Sequence, residues 1–253
     1  MRLFANEFLK IRRSKSVKVL FGVFLAFIIL SAYTGNYMGS AKMRSGFAGP
    51  FLWNGIMGAA GLFAYGALAA GMVAGEFQLG VVQNALGCGV SRRRYFAVKV
   101  ISVLGISAVL YLLCTCIFTG FLTEVYGFDP EGILPSEYRL KVLAFTGAAL
   151  VVQLSCVSMY ICFAYLFRKA SATFAASVLA TLLETFVSAR LIKADAISGN
   201  GINGPFTTTF LLSQHFVSDT ILTREFALLT LPCIGLMTIS LLASYFLFMK
   251  RSV

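Results

Sequence analysis

The sequence offers few residues that could do chemistry. Nucleotide-binding proteins hold phosphates with a GxxxxGK[ST] loop, and that motif is absent from the 253 residues. The HExxH motif of zinc hydrolases and the GxSxG motif of serine hydrolases are absent as well. The single histidine, His215, has no metal partner at a suitable spacing. We therefore expect no catalytic residue, no metal site and no cofactor in this chain.

One carboxylate is a candidate for chemistry inside a membrane. Glu184 interrupts an otherwise uncharged apolar stretch, and an acid in such a stretch is a functional candidate. Ala172, Ala176 and Ala180 precede it at four-residue spacing, which is typical of a helix face that packs closely. Glu184 is thus a possible intramembrane polar site for a helix contact or a cationic substrate. The alternative is that its side chain reaches the outer interface, toward Arg190.

The chain around these residues is too apolar for a water-soluble domain. It is 58% hydrophobic and 12% charged, with a mean hydropathy of +0.85, whereas soluble domains are about 25% charged. Its charges bracket apolar stretches, and a helix needs roughly 20 such residues to cross a bilayer. The fold class predicted is an all-α polytopic membrane protein, a single transmembrane domain over 1–253. Its six spans are expected near 19–38, 52–75, 100–122, 142–167, 171–189 and 226–249.

The distribution of basic residues predicts the orientation. With both termini in the cytoplasm, 14 of the 21 Lys and Arg residues lie on the inner side, as the positive-inside rule requires. The net charge of +11 is therefore a topology signal. Nucleic-acid binding would need a basic face on a folded module, and no such module is present. We expect a multi-pass protein of the plasma membrane with the lipid bilayer as its surroundings and no nucleic-acid partner.

The N-terminal residues show the pattern of a helix that lies flat on the membrane. Phe4, Phe8 and Ile11 fall on one stripe, with Lys10 and Arg13 on the other side. A simple basic anchor that fixes topology is the alternative interpretation.

A second small-residue stripe lies in the second predicted span. Ala67, Gly71 and Gly75 recur at four-residue spacing, which permits close helix contact. The contact could lie within the subunit or between subunits.

The most informative stretch follows the second predicted span, over 76–96. Its apolar residues fall on one arc of a helical wheel, which predicts about three turns of amphipathic helix on the cytoplasmic side. Gly87 and Gly89 can end this helix, and Ser91 can cap the next one. The stretch is either a basic loop that fixes topology or a docking element for a cytoplasmic partner.

Two segments resemble the permeases of the type-2 ABC exporter superfamily, which includes the bacitracin- and lantibiotic-immunity branch. The first is the opening segment Glu7-Phe8-Leu9-Lys10 with Arg12. The second comprises Glu76-Phe77, Asn84-Ala85-Leu86, Gly89-Val90-Ser91-Arg92 and Lys99. The chain departs from the family at Gly87-Cys88-Gly89, where serines are common.

The resemblance implies a pair of permeases, identical or sister chains, bound to a dimer of ATPase subunits that carries ATP and Mg. The helix after the second span would be the coupling helix, which rests in a groove of the ATPase. Its coupling residues would be Glu76, Phe77, Gln78, Val82, Leu86, Gly89, Ser91 and Arg92. A connection on the outer side, 196–222, would carry re-entrant helices.

The function expected is therefore that of a transmembrane subunit of an ATP-driven exporter. Its substrate would be hydrophobic or amphipathic, and the resemblance suggests an antimicrobial peptide, to which export gives resistance, or another hydrophobic compound. The alternative is an ATP-independent six-span channel, carrier or membrane scaffold. A secondary carrier should show several intramembrane acids or broken, repeated helices, and the sequence shows one such acid and no evident repeat.

Overall fold

The computed structural model describes residues 7, 9–10, 15–34, 49–56, 62–128, 137–193, 208 and 223–250. These residues contain helices and turns and no strand. In chain order the helices are α1 (Lys15–Thr34), α2 (Gly49–Ile56), α3 (Leu62–Ala69), α4 (Gly75–Gln78), α5 (Val81–Gly87), α6 (Arg92–Tyr126), α7 (Glu137–Phe167), α8 (Ala170–Lys193) and α9 (Thr223–Lys250). A π-helical turn, Ala70–Ala74, joins α3 to α4 without a break.

The all-helical prediction is confirmed for the described residues, whereas the count of six spans is only partly matched. Among the described residues, four helices are long and apolar enough to cross a membrane, within α6, α7, α8 and α9. The bent unit Phe63–Gln78 plus Val81–Gly87 makes a fifth if it counts as one span. At the first predicted span the structure has α1, whose described apolar part, Val17–Ala26, is shorter than a full span. The six-span arrangement stays a prediction.

The outer segment predicted over 196–222 lies outside the described residues, apart from Thr208. The same holds for Phe4, Phe8 and Ile11, on which the predicted interfacial helix rests. Of that N-terminal segment the structure describes Glu7, Leu9 and Lys10, which are helical.

Helix α6 is longer than a span requires. Its 35 residues extend about 52 Å at 1.5 Å per residue, whereas a hydrocarbon core is about 30 Å thick. Its core-facing side includes Phe96, Val103, Leu110 and Phe118, which recur at helical spacing. The excess length leaves room for the first turns of α6 to lie outside the hydrocarbon.

The helices pack around α7, the most buried of the candidate spans. Helix α9 runs along α7, and α3 lies against both α7 and α8. Away from that contact, Phe24 of α1 meets Trp53 and Tyr65 edge-on, with ring centroids 6.1 and 6.0 Å apart. This aromatic contact joins α1, α2 and α3, which are three separate segments of the chain.

The residues that α8 buries are adjacent to the predicted alanine stripe. Thr173, Ser177 and Thr181 are buried, whereas Ala172, Ala176 and Ala180 are half-buried. The hydroxyls of Ser177 and Thr181 each donate to the carbonyl four residues earlier, so they can enter the core without an unsatisfied donor.

The small-residue stripe of the second predicted span also faces away from the chain's own helices. Ala67 and Gly71 are exposed and Gly75 is half-buried. Gly66, one residue before the stripe, makes the close approach instead: a Cβ atom there would lie 2.8 Å from Ser177 Cβ.

We predict that Gly66→Ala lowers the stability of the folded protein by about 1–3 kcal/mol, because the added methyl group overlaps α8. Gly105→Ala is the matched control, since a Cβ at Gly105 meets nothing within 4 Å. Thermal unfolding of the two variants in detergent is the measurement. Equal melting temperatures would show that α3 and α8 are not in close contact.

Candidate functional site: the coupling segment and its supports

The segment between the second and third predicted spans, 76–96, is bent rather than straight, and we refer to it as the coupling segment after the resemblance. The axes of Phe63–Gln78 and Val81–Gly87 differ by 60°. The bend falls at Gly80, which has a left-handed backbone with φ of +67° that side chains with a Cβ rarely adopt. The predicted helix of about three turns is therefore wrong in its extent: α4 continues the span, and α5, with 7 residues, leaves it at an angle.

The end of α5 is closed by a hydrogen-bonded turn that requires glycine. Gly89 is left-handed, with φ of +85°, and its N–H donates to the Leu86 carbonyl. The N–H of Val90 reaches back to the carbonyl of Ala85, which completes a Schellman motif. Ser91 stands at the N-cap position of α6, as the sequence indicates, but its side chain makes no capping hydrogen bond.

A cluster of four charged side chains lies where the bent segment packs against the rest of the protein. The Lys99 ammonium is 2.7 Å from a carboxylate oxygen of Glu7 and 2.7 Å from one of Glu76. The Lys10 ammonium is 3.0 and 3.2 Å from the same two carboxylates. Tyr95 donates a 2.5 Å hydrogen bond to the second oxygen of Glu76. Two carboxylates and two ammonium groups make the cluster neutral.

The degree of burial differs within this charge cluster. The side chains of Lys99, Glu7 and Glu76 are 2%, 8% and 12% exposed, and that of Lys10 is 50% exposed. An ionised group that deep in protein is costly unless it is paired and hydrogen-bonded. Lys99 therefore depends on both carboxylates, and Lys10 closes the cluster at the surface.

The charges of the cluster shift the pKa values of its N-terminal members. Burial by itself would raise the pKa of Glu7, but the hydrogen bonds and charges of Lys99 and Lys10 outweigh it and lower that pKa. Burial by itself would lower the pKa of Lys10, but Glu7 and Glu76 outweigh it and raise that pKa. Both groups are therefore charged throughout the physiological range.

Phe77, next to Glu76, points into an aromatic contact within the chain. Its ring meets Tyr165 of α7 and Phe248 of α9 edge-on, with centroids 5.7 and 6.2 Å away. The guanidinium of Arg168, in the turn between α7 and α8, lies 5.2 Å from the centre of the same ring. Phe77 thus packs the end of the second span against α7, α9 and the turn between α7 and α8.

The coupling residues named from the resemblance fall into two groups. Those that face the interior are Glu76, Phe77, Val82, Leu86 and Arg92, which are buried or half-buried. Arg92 donates a hydrogen bond to the backbone carbonyl of Met249. Those on the surface are Gln78, Gly89 and Ser91.

The outer surface of the bend also carries an unpredicted apolar residue. Leu79 is 77% exposed at the corner between α4 and α5. It is followed by the exposed polar residues Gln83 and Asn84, the exposed thiol of Cys88, and Arg93 and Arg94. We refer to the exposed residues of 78–94 as the outer face of the coupling segment.

Glu184 lies far from this segment in the chain and is half-buried in α8. It is close enough to Cys156 and Tyr160 of α7 and to Cys233 of α9 to interact with them electrostatically. Thr181, one turn earlier, shares a 2.7 Å hydrogen bond with Tyr160. Glu184 is therefore near the α7–α8–α9 contact, and its role stays a prediction.

Sequence reasoning included Lys99 only as part of a motif and missed its contacts. The signal was present: Lys99 follows Phe96 by three residues and precedes Val103 by four, so it shares the core-facing stripe of α6. A lysine on such a stripe requires acidic partners from other elements. In the predicted topology, the acids on the same side of the membrane as Lys99 are Glu7 and Glu76.

The comparison with known families agrees with this architecture. Residues 3–188 match the family described as ABC-2 family transporter protein, which covers the N-terminal segment and the helices through most of α8. The chain belongs to this family of ABC transporter permeases, whose members are membrane components and not themselves ATPases. With its apolar helices, this makes it a multi-pass membrane protein. Among curated proteins none matches the chain significantly.

We predict that Glu7→Gln lowers the stability at neutral pH by about 2 kcal/mol, because it removes a charge-assisted hydrogen bond. The pKa of Glu7 is lowered from 4.5 on folding, so its contribution is present above about pH 4.5 and is lost as the pH falls through the lower folded value. Wild type and Glu7→Gln should therefore converge on acidification.

The measurement is the melting temperature of both proteins in detergent between pH 7 and pH 3. Glu124→Gln makes the same change at an exposed carboxylate and should follow the wild-type profile. Parallel profiles for wild type and Glu7→Gln would contradict the role given to the Glu7 carboxylate.

Proposed function

We propose that this protein is the transmembrane subunit of an ATP-driven exporter and that a separate ATPase docks on the outer face of the coupling segment. The proposal rests on which residues of that segment pack against the rest of the chain and which are exposed. Its inner side is held by charges and aromatic rings, whereas its outer face presents an exposed leucine beside polar and basic groups. Because contacts within the chain hold this segment in place while its outer face stays exposed, a partner that binds the face could move the helices behind it.

The chemistry of the outer face indicates how the ATPase would bind. Leu79 would enter an apolar pocket, and burying a leucine contributes roughly 1.5–3 kcal/mol. Gln83 and Asn84 offer hydrogen-bonding amides beside it. Arg93 and Arg94 would favour an acidic rim on the partner. Phe77, which packs inside the chain, would support this surface from behind.

The remaining parts of the proposal follow from the family and the sequence. Two permease chains, identical or sister, would pair with an ATPase dimer, and ATP and Mg would bind to the ATPase. Six spans with both termini in the cytoplasm would place the coupling segment on the ATPase side of the plasma membrane. The substrate would be hydrophobic or amphipathic, with antimicrobial peptides as the class that the resemblance favours.

We predict that Leu79→Asp weakens ATPase binding roughly 10- to 100-fold while the permease still inserts and stays folded. The measurement is the amount of ATPase that co-purifies with the tagged permease from its native membrane. Lys169→Asp is the control, because Lys169 is exposed beside Arg168 at the same end of the bundle. Phe77→Asp should instead destabilise the permease itself, since its ring is packed against α7 and α9. Full ATPase recovery with Leu79→Asp would exclude this docking surface.

We predict that a membrane-impermeant maleimide labels a cysteine at Ser136 in intact cells and does not label Cys88. Cys88 is an exposed thiol on the coupling segment, which the proposal places in the cytoplasm. Both sites should react once the membrane is opened. Labelling of Cys88 from outside would reverse the proposed orientation.

A further inference from the structure

Lys99 makes contacts that reach beyond the docking surface. It belongs to α6, yet its ammonium bridges Glu7 of the N-terminal segment and Glu76 of the coupling segment at 2.7 Å each. Glu7 is 92 residues away from Lys99 in the sequence. One side chain thus joins three segments that are separate along the chain.

The same three segments are joined by the other members of the cluster. Lys10 pairs with Glu7 and with Glu76, and Tyr95 ties Glu76 to the first turn of α6. The contacts on α6, from Tyr95 and Lys99, are four residues apart and lie on one face of the helix. Lys99 is the most buried member, so its two ion pairs are the least screened by solvent.

Moving any one of these segments away from the other two costs free energy. If the N-terminal segment or the coupling segment moved away separately, a carboxylate or the Lys99 ammonium would be left buried without its partner. The three segments can move together with the cluster intact. Separate movement requires the cluster to open to water.

We infer that Lys99 is a positioning residue that holds the N-terminal segment, the coupling segment and the start of α6 as one rigid unit, so that movement of the docked ATPase passes directly to α6. This inference rests on the proposed function, because it assumes that an ATPase docks on the coupling segment. It adds that the N-terminal segment is part of the apparatus that transmits its movement.

The test measures the rigidity of the unit and the activity of the complex separately. Spin labels on Cys88 and on a cysteine at Leu9, both exposed, report the distance between the coupling and N-terminal segments. Cys116 and Cys162 are changed to serine so that they do not react. The variants are Lys99→Met, Lys99→Arg as the conservative change, and Lys169→Met as the same change at an exposed lysine at the same end of the bundle.

In the purified permease, where a label on Cys88 does not meet the ATPase, the wild type should give a narrow distance distribution. Lys99→Met should widen it at least twofold, whereas Lys99→Arg and Lys169→Met should keep it narrow. In the unlabelled complex, Lys99→Met should retain the ATPase but lower ATP hydrolysis at least fivefold. A fall in hydrolysis with the ATPase still bound is a result that simple loss of folding does not produce.

If Lys99→Met fails to insert, the double variant Glu7→Gln/Lys99→Met removes one charge of each sign and keeps the cluster neutral. It should insert and still give the wide distribution. A distribution as narrow as that of wild type in this variant or in Lys99→Met overturns the inference. Because the distance is measured on the purified permease, it decides the inference even if no ATPase co-purifies, which is the result that would reject the proposed function.

Discussion

The buried ammonium group of Lys99 imposes the main constraint on this end of the molecule. It is 2% exposed, so it must be neutralised by carboxylates that the protein supplies. Those carboxylates come from Glu7 and Glu76, which lie in different parts of the chain. The coupling segment therefore has its position set by charge neutrality, and the N-terminal segment is fixed by the same requirement.

The two neighbouring residues Glu76 and Phe77 divide the supporting contacts between them. Glu76 faces the charges of α6 and the N-terminal segment, whereas Phe77 faces the aromatic rings of α7 and α9. Because both side chains are used inside the chain, the exposed surface of the coupling segment is made by the residues after them. Gly80 and Gly89 turn the backbone at either end of α5 and leave that surface exposed.

Arg168 extends this arrangement to the turn between α7 and α8. It is the one non-glycine residue with positive φ among those described, at 54°, a conformation that side chains with a Cβ rarely adopt. Its guanidinium lies over the ring of Phe77. The turn and the coupling segment are consequently in contact.

The sequence was sufficient to predict the long helices, because apolar length and charge placement are local properties. The family followed from the resemblance of two motif segments to known permeases, and the family match confirms it. The third predicted span lies within α6 and the fifth within α8. The sequence did not predict the break at Gly80, because the amphipathic pattern continues across the bend.

The sequence also did not show which face of α8 packs against the other helices. The alanine stripe at Ala172 and the hydroxyl stripe at Thr173 have the same four-residue spacing. Both types suit close packing once the hydroxyls bond to their own helix, as that of Ser177 does. Which stripe is buried depends on neighbouring helices, and so does the partnership of Lys99 with Glu7 across 92 positions.

Photo-crosslinking from Cys88 in the native membrane shows directly whether an ATPase docks on the outer face of the coupling segment. Cys88 is an exposed thiol on the outer face of the coupling segment, so a reagent attached there reports what touches that face. We expect a covalent adduct with an ABC ATPase subunit, in lower amount when Leu79 is replaced by aspartate. An ATPase that co-purifies with the permease but is never captured from Cys88, while being captured from another site on the protein, would contradict it.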